Sequence, residues 1–391
     1  MNTRLSFNLP VPTKVLFGPG RLGELRTQEL PGRKALIVIS SGKSPRQNGY
    51  LDRLQHELEL AGCQWTVFDK VQANPIKDTV EEGARLAVAE ACDFVIGLGG
   101  GSVMDTAKVI AMNAANPGDL WQYVMAGTGG RKTPENPTLP WIAVTTTAGT
   151  GSEVDAGGVI TNPITKEKLG IFTDFARLAI VDPELMLSVP PRFTAYQGFD
   201  ALLQLLEGYI CRSSNLFSRM IQETAIQQAA QSLPIVCHDG QNLEARTRMA
   251  FASMLSGYSM VVSTCTAEHS LEHALSAYHE QLPHGAGLIM ISLAYYGAII
   301  RQHVADDNFV RMARLLGKAD ASRPEDFLTA LSDLQKACGV YGMKLSDYGV
   351  QPDEFDAMAD NALTVMGRLA TQDLQPLTHD ELVAVLREAY A

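Results

Sequence analysis

A glycine-rich turn between a strand-like and a helix-like segment constrains this chain more than any other feature. The run Leu-Gly-Gly-Gly-Ser at 98–102 follows the apolar residues 94–96 and leads into a segment that favours a helix. Because consecutive glycines remove the Cβ atoms, backbone amides can approach an anion there, and the positive end of the helix faces the same place. The pattern predicts a phosphate-binding turn, although the same glycines also suit a turn without a ligand.

A second turn of small residues supports the functional interpretation. Residues 145–153 read Thr-Thr-Thr-Ala-Gly-Thr-Gly-Ser-Glu and follow the strand-like run 141–144. Their hydroxyls and bare backbone suit a second wall of a nucleotide site. Two such turns in one chain favour a dinucleotide as the ligand.

The chain divides into two parts with different hydrophobic patterns. From residue 34 to residue 182, short β-branched runs alternate with helical segments, which is typical of a doubly wound parallel sheet with ligands beyond the carboxyl ends of its strands. After residue 190, apolar residues recur at spacings of three and four and strand signals nearly vanish. We therefore predict an α/β dinucleotide-binding domain at residues 1–185 and an all-helical domain for metal and substrate at residues 186–391.

Composition and charge restrict the class of partner. The net charge of −11 disfavours nucleic acid and anionic membrane surfaces, so small molecules are the expected partners. Six scattered cysteines without a Cys-x-x-Cys pair predict reduced core residues in a cytoplasmic protein. Residues 1–12 show neither a secretory signal nor an anchor, and the apolar run 287–300 is shorter than the ~20 residues of a membrane span. We interpret that run as a buried helix.

The helical part contains a group of potential metal ligands. His269 and His273 are four residues apart and therefore share one helix face, and His284 follows shortly after them. Asp200 begins a strongly apolar helix, where a carboxylate could also serve only as a cap. Imidazole and carboxylate groups together suit divalent iron, zinc or manganese, so we predict a metal site, with His279 as a solvated loop residue outside it.

Several motifs in the same order resemble those of the iron-containing, or group III, alcohol dehydrogenases. The resemblance extends over nearly the whole chain. It rests on Phe-Gly-Pro-Gly at 17–20, Asn-Pro at 74–75, the segments 99–108, 146–153, 159–162 and 181–185, Lys168, the helix containing Asp200, and the histidine cluster that ends in Pro-His-Gly at 283–285.

The resemblance implies a nucleotide-binding domain, a helical metal-binding domain of the kind also found in dehydroquinate synthase, and a cleft between them. In that cleft, hydride would pass between NAD(P) and a small alcohol or aldehyde. The cofactor-binding residues that it implies are Gly100, Gly101 and Ser102 at the pyrophosphate, Asp105 near the nicotinamide half, Thr146, Thr147 and Thr150 along the cofactor, and Asn74 and Lys168 on its ribose side.

The resemblance also implies a ligand set for the metal, with one departure from the family pattern. Asp200, His269 and His284 would bind the ion, and His273 would act beside the substrate. The family usually has a histidine four residues after the aspartate, where this chain has Gln204, a weaker donor. We expect retained binding of Fe²⁺, with Zn²⁺ as the alternative ion, and lower metal affinity.

Two other functions remain open from the sequence alone. A related enzyme of the dehydroquinate-synthase or glycerol-phosphate-dehydrogenase type would need basic residues at the metal cleft, and the segments around Asp200 and His284 are poor in them. A metal-depleted, inactive nucleotide-binding homologue is the second alternative, because of Gln204. The resemblance further implies a homodimer or larger homo-oligomer.

The end of the predicted strand 35–39 suggests which dinucleotide is used. An acidic residue at this position commonly pairs with the free ribose hydroxyl and repels a 2′-phosphate. Here Ser40 stands at the strand end, followed closely by Lys43 and Arg46. We therefore predict that NADPH is accepted and favoured over NADH, although both cations also suit an ordinary solvated loop.

Overall fold

The computed structural model describes residues 4–390, and the chain packs into two compact units. One unit contains residues 11–147 and 151–188, and the other contains residues 4–10, 148–150 and 189–390. The first unit is an α/β domain built on a parallel sheet and the second is helical, which confirms the predicted fold class. The predictions for residues 1–3 and 391 lie outside the described residues.

The α/β unit is organised by one parallel sheet with the strand order β1-β8-β5-β4-β2-β3. Every residue of the central strands β4 and β5 is buried, as expected for strands covered on both faces. A separate antiparallel ribbon is formed by β6 and β7. The strands are β1 (Lys14–Phe17), β2 (Lys34–Ser40), β3 (Gln64–Val71), β4 (Phe94–Gly99), β5 (Trp141–Thr145), β6 (Gly157–Asn162), β7 (Glu167–Phe172) and β8 (Leu178–Val181).

Three of these strands were not predicted from the sequence. Strand β1 is four residues long with one buried side chain, so its hydrophobic signal is weak, and pairing with β8 creates it. The ribbon β6–β7 lies in a region where only motifs of the family resemblance were noted. The helices of this unit are α1 (Ser44–Gln47), α2 (Tyr50–Leu60), α3 (Lys77–Ala89) and α4 (Gly101–Ala115).

The helical unit confirms the change of pattern after residue 190. Its helices are α5 (Pro191–Ile210), α6 (Leu216–His238), α7 (Leu243–Val262), α8 (Ala267–Tyr278), α9 (His284–Arg301), α10 (Asp306–Leu315), α11 (Asp326–Ala337), α12 (Phe355–Thr364), α13 (Gly367–Ala370) and α14 (His379–Tyr390).

Two further sequence predictions are confirmed in the structure. The apolar run 287–300 is largely buried inside α9, and across residues 4–390 no helix is long and apolar enough to cross a membrane. All six cysteines are buried and carry free thiols.

Candidate active site

The glycine-rich turn joins the end of β4 to the start of α4. Gly100 caps the helix, and a Cβ atom placed on it would lie 2.7 Å from Cγ2 of Thr147. Packing against Thr147 therefore requires a glycine here, independently of any ligand. The first amides of α4 have no acceptor within the helix and lie at its positive end, which is the arrangement that binds phosphate groups. Gly101 and Ser102 supply the first of these amides.

The threonine-rich turn lies beside the glycine turn. The amide of Thr146 donates to the carbonyl oxygen of Gly99 over 2.9 Å, and Oγ1 of Thr145 donates to the carbonyl oxygen of Thr147 over 3.2 Å. The structure thus brings the predicted residues Thr146 and Thr147 to the phosphate turn. Thr150 belongs to the helical unit.

The predicted ribose-side residues are connected through the ribbon. The amide of Thr161 on β6 donates to the carbonyl oxygen of Pro75 over 2.8 Å, directly after Asn74, which has a positive φ of 50°. Thr161 pairs in register with Lys168 on β7. The ribbon therefore places Asn74 and Lys168 in the same part of the α/β unit. Ser40 is the last residue of β2, at the carboxyl end of the sheet.

Asp105 is engaged inside the α/β unit. Its two carboxylate oxygens accept hydrogen bonds from Oγ of Ser152 over 2.6 Å and from the amide of Val159 over 2.9 Å. Burial raises the pKa of Asp105 to about 6. One turn later, the buried Lys108 contacts Asp155 over 2.6 Å. These bonds fix α4 to β6 and to the segment before it, and a role of Asp105 near the nicotinamide stays a prediction.

The helical unit brings the three predicted metal ligands together. Asp200 lies on α5, His269 on α8 and His284 at the start of α9, with one ligand atom of each inside a 4.8 Å group. Both Nε2 atoms lie 3.7 Å from Oδ1 of Asp200. Ligands about 2.1 Å from a shared ion at tetrahedral angles lie about 3.4 Å apart, so this spacing fits a divalent cation.

A buried orphan atom supports the same assignment. Nε2 of His269 is buried and has no hydrogen-bond partner within residues 4–390. A buried polar atom without a partner is costly, so a role as metal ligand explains it better than a structural role. The donor set of two imidazoles and one carboxylate is one that iron(II) or zinc accepts.

Two buried glutamates orient the ligand histidines, and the sequence analysis missed them. Glu207 on α5 contacts Nδ1 of His269, and Glu272 on α8 contacts Nδ1 of His284. Neither carboxylate is exposed to solvent. Carboxylates in this position fix the tautomer, so that each Nε2 presents its lone pair to an ion. Helical spacing was the available signal, because Glu207 follows Asp200 by seven residues and Glu272 follows His269 by three.

The charge state of the centre suits cation binding. Burial by itself raises the pKa of Asp200, but the neighbouring imidazoles of His269 and His284 and the amide of Gln204 lower it below its usual range. Asp200 is therefore held as a carboxylate. Gln204 donates from Nε2 to Oδ1 of Asp200 over 2.9 Å, and its own Oε1 is buried without a partner in the described chain.

The other two histidines of the segment 269–284 lie in different surroundings. His273 is buried on α8, and its ring centroid lies 5.5 Å from that of His284. It therefore lies next to the candidate metal ligands, and its role beside the substrate stays a prediction. His279 lies outside this group, because its Nε2 contacts Glu354 over 2.9 Å.

Comparison with known proteins gives one family over most of the chain. Residues 12–183 match the family model described as iron-containing alcohol dehydrogenase. Residues 194–390 match the C-terminal model of the Fe-containing alcohol dehydrogenase family.

Curated relatives match over nearly their full length. The chain is 32% identical to the 1,3-propanediol dehydrogenase of Klebsiella pneumoniae, over 98% of this chain and 99% of the relative. It is 30% identical to the NAD-dependent methanol dehydrogenase of Bacillus methanolicus, over 91% of this chain and 93% of that protein.

Solved structures agree with these relatives. An archaeal halo-thermophilic alcohol dehydrogenase from a Red Sea brine pool matches with a TM-score of 0.92 and 29% identity, with complete coverage of both chains. The NADH-dependent butanol dehydrogenase A of Thermotoga maritima matches with a TM-score of 0.89 and 27% identity, again over both whole chains.

Proposed function

The chain belongs to the iron-containing alcohol dehydrogenase family, and we propose from this premise that it interconverts a small alcohol and its aldehyde with NAD(P) and a divalent metal. It is an oxidoreductase, like the named dehydrogenases that it resembles. The observation that carries the metal proposal is the buried, unpartnered Nε2 of His269 beside Asp200 and His284. The family match does not favour the alternative of an inactive nucleotide-binding homologue.

Asp200, His269 and His284 are the proposed metal ligands, with Fe²⁺ as the expected ion and Zn²⁺ as the alternative. When bound, a divalent cation stabilises the negative charge on the substrate oxygen as a Lewis acid. Asp200 contributes the anionic ligand, and the two histidines contribute neutral nitrogens whose rings Glu207 and Glu272 hold in place.

His273 is the proposed proton acceptor for the alcohol. Imidazole titrates near neutrality, so it can take the hydroxyl proton while hydride leaves the carbon and return it in the reverse reaction. The position of His273 beside His284 supports this role. Its burial keeps bulk water away from the proton that is transferred.

The α/β unit is the proposed holder of the dinucleotide. The amides at the start of α4 and the hydroxyls of Ser102, Thr146 and Thr147 would bind the pyrophosphate region, with Thr150 as a further cofactor residue. A bound dinucleotide would supply the nicotinamide ring that exchanges the hydride with the substrate carbon. We further propose that the protein uses NADP as well as NAD and that it forms a homodimer or larger assembly. Its proposed location is the cytoplasm. The net charge of −11 supports a small-molecule partner rather than a polyanion.

One experiment tests the function directly. The protein is purified without chelators, its metal content is measured by elemental analysis, and oxidation of NADH and NADPH is followed with a panel of short aldehydes. We expect a divalent metal that is partly lost on purification, as Gln204 predicts, and turnover that disappears on chelation and returns with iron(II). Full turnover in the metal-free protein would contradict the metal role. Cofactor binding without any turnover across the panel would favour the inactive homologue.

A further inference from the structure

A buried chain of hydrogen bonds runs from the back of His269 to a turn near the C-terminus. Glu207 contacts Nδ1 of His269 and accepts from Oγ1 of Thr266 over 2.8 Å. Oγ1 of Thr266 lies 2.6 Å from the hydroxyl of Tyr295, which in turn contacts Oδ1 of Asp373. Thr266, Tyr295 and Glu207 are fully buried, and Asp373 is 2% exposed.

The number of available protons determines in which direction each hydrogen bond of this buried series is donated. Its three oxygen-to-oxygen links, from Glu207 through Thr266 and Tyr295 to Asp373, need three protons, but the two hydroxyl groups supply only two. With both carboxylates ionised, one link would bring two oxygen atoms together without a hydrogen between them. A buried contact of that kind is unfavourable, so one carboxyl group must carry the third proton.

The surroundings of Glu207 show that it does not carry this proton. Oε1 of Glu207 accepts from the amide of Thr266 over 2.8 Å and from the amide of His269 over 3.2 Å, in addition to the threonine hydroxyl. A carboxylate that faces only donors is favoured in its ionised form.

The surroundings of Asp373 suit a neutral acid. Its Oδ2 accepts from the amide of Ala267 over 3.0 Å, which leaves Oδ1 to carry a proton toward Tyr295. Burial raises the pKa of Asp373 to about 7, in agreement with this state.

We propose that Asp373 is a protonated positioning residue that donates to Tyr295, so that Tyr295 donates to Thr266 and Thr266 donates to an ionised Glu207 that fixes His269 for metal binding. All three links are then filled and directed toward the histidine. Asp373 and Tyr295 touch neither substrate nor metal and act only through Glu207. This inference rests on the proposed metal site for its effect on affinity, whereas the protonation state of Asp373 does not depend on that site.

Matched variants of this protein can test the proposed direction of the hydrogen bonds. Asparagine mimics a protonated aspartic acid, because its amide donates to Tyr295 while its oxygen accepts from Ala267. Asp373→Ala removes both functions. Tyr295→Phe removes one hydroxyl from the chain, and Tyr296→Phe is the control, because Tyr296 is equally buried on the same helix and its hydroxyl takes no part in the chain.

The first measurement is metal affinity, by competition with a chelator in the full-length protein, alongside the melting temperature of the metal-free form. Loss of a direct partner of a ligand typically weakens metal binding about 10- to 100-fold, and because Tyr295 and Asp373 act through Glu207 we expect the lower end of this range, about 10-fold, for Tyr295→Phe and Asp373→Ala. Asp373→Asn and Tyr296→Phe should remain close to the wild type. Wild-type affinity in Tyr295→Phe, or equal losses in Asp373→Asn and Asp373→Ala, would overturn the proposal.

The second measurement is infrared spectroscopy near neutral pH, which needs no metal. The wild type minus Asp373→Asn difference spectrum should contain the carbonyl stretch of a protonated carboxylic acid. A carboxylate band in its place would overturn the proposal even if other variants fail to fold. A wild type that binds no metal would refute the proposed function, and the infrared result would still decide the state of Asp373.

Discussion

The phosphate turn and the metal centre are built in opposite ways. The turn consists of the neighbouring residues 98–102, and the groups proposed to bind phosphate are mainly backbone amides at the start of α4. The metal centre consists of side chains from α5, α8 and α9, with buried carboxylates behind the histidines. The backbone site requires glycines, whose missing Cβ atoms leave room for an anion. The side-chain site requires buried carboxylates that contact the histidines and hold their rings in place. Mutations at the turn should therefore affect only the phosphate contacts beside them. At the proposed metal centre, mutations of residues that do not touch the ion should also weaken metal binding.

The largest expected effect is the loss of a metal ligand. In His284→Ala, metal retention and turnover should disappear together, because the remaining Asp200 and His269 leave the ion with too few protein ligands. His279→Ala is the matched control, since His279 contacts Glu354 outside the centre. Elemental analysis and steady-state kinetics check both variants. Full activity of His284→Ala in the presence of a chelator would contradict the assignment of His284 as a metal ligand.

A change at the turn should have the next largest effect. A Cβ on Gly100 would meet Thr147 at 2.7 Å, and we expect Gly100→Ala to weaken NAD(P)H binding by about 2 kcal/mol, or near 30-fold. Thr147→Ala leaves only the Thr147 Cβ, at the ordinary distance of 3.4 Å from the added atom. Calorimetric titration of the single and double variants checks the cause.

The double variant Gly100→Ala with Thr147→Ala separates two explanations. If its affinity matches that of Thr147→Ala alone, the glycine serves packing against Thr147. If the loss persists, the added Cβ blocks the approach of the pyrophosphate to the backbone, as the phosphate-turn prediction requires. Unchanged NAD(P)H binding in a folded Gly100→Ala protein would reject both explanations.

Gln204 allows a gain-of-function test at the metal centre. We expect Gln204→His to bind the metal about 10-fold, or about 1.4 kcal/mol, more tightly, because imidazole is a better ligand than an amide oxygen. Gln204 lies one helical turn after Asp200 and already contacts it over 2.9 Å, so a side chain there reaches the centre. Chelator competition on both proteins checks this. Equal dissociation constants would show that position 204 does not face the ion.

The smallest effect concerns the dinucleotide. We expect NADPH to be accepted and favoured, and the double variant Lys43→Ala, Arg46→Ala to lower the NADPH to NADH ratio of kcat/KM by about threefold, as exposed charges contribute weakly. The structure pairs Arg46 with the half-exposed Asp69 over 2.7 Å. Asp69→Asn should therefore release Arg46 and raise the same ratio. A strong NADH preference of the wild type, unchanged in these variants, would refute the assignment.

The sequence predicted the layout of the fold well where the pattern was strong. The buried strands β4 and β5 and the long helices α5 to α7 carry continuous or periodic apolar signals, which follow directly from the geometry of the backbone. Strand β1 carries a weak signal because only one of its residues is buried, and the ribbon β6–β7, although mostly buried, contains glycines that weaken its strand pattern. These weak patterns explain why the three strands were not predicted from the sequence.

By itself, the sequence predicted a phosphate-binding turn and named three candidate metal ligands, because residue type and local spacing encode them. Only the tertiary structure decided that Asp200, His269 and His284 meet, and that Glu207 and Glu272 stand behind the histidines. It alone also showed the chain of bonds that ends at Asp373. The physical reason is that a buried polar group must find its partner across the packed interior, and such partners come from helices far apart in the chain.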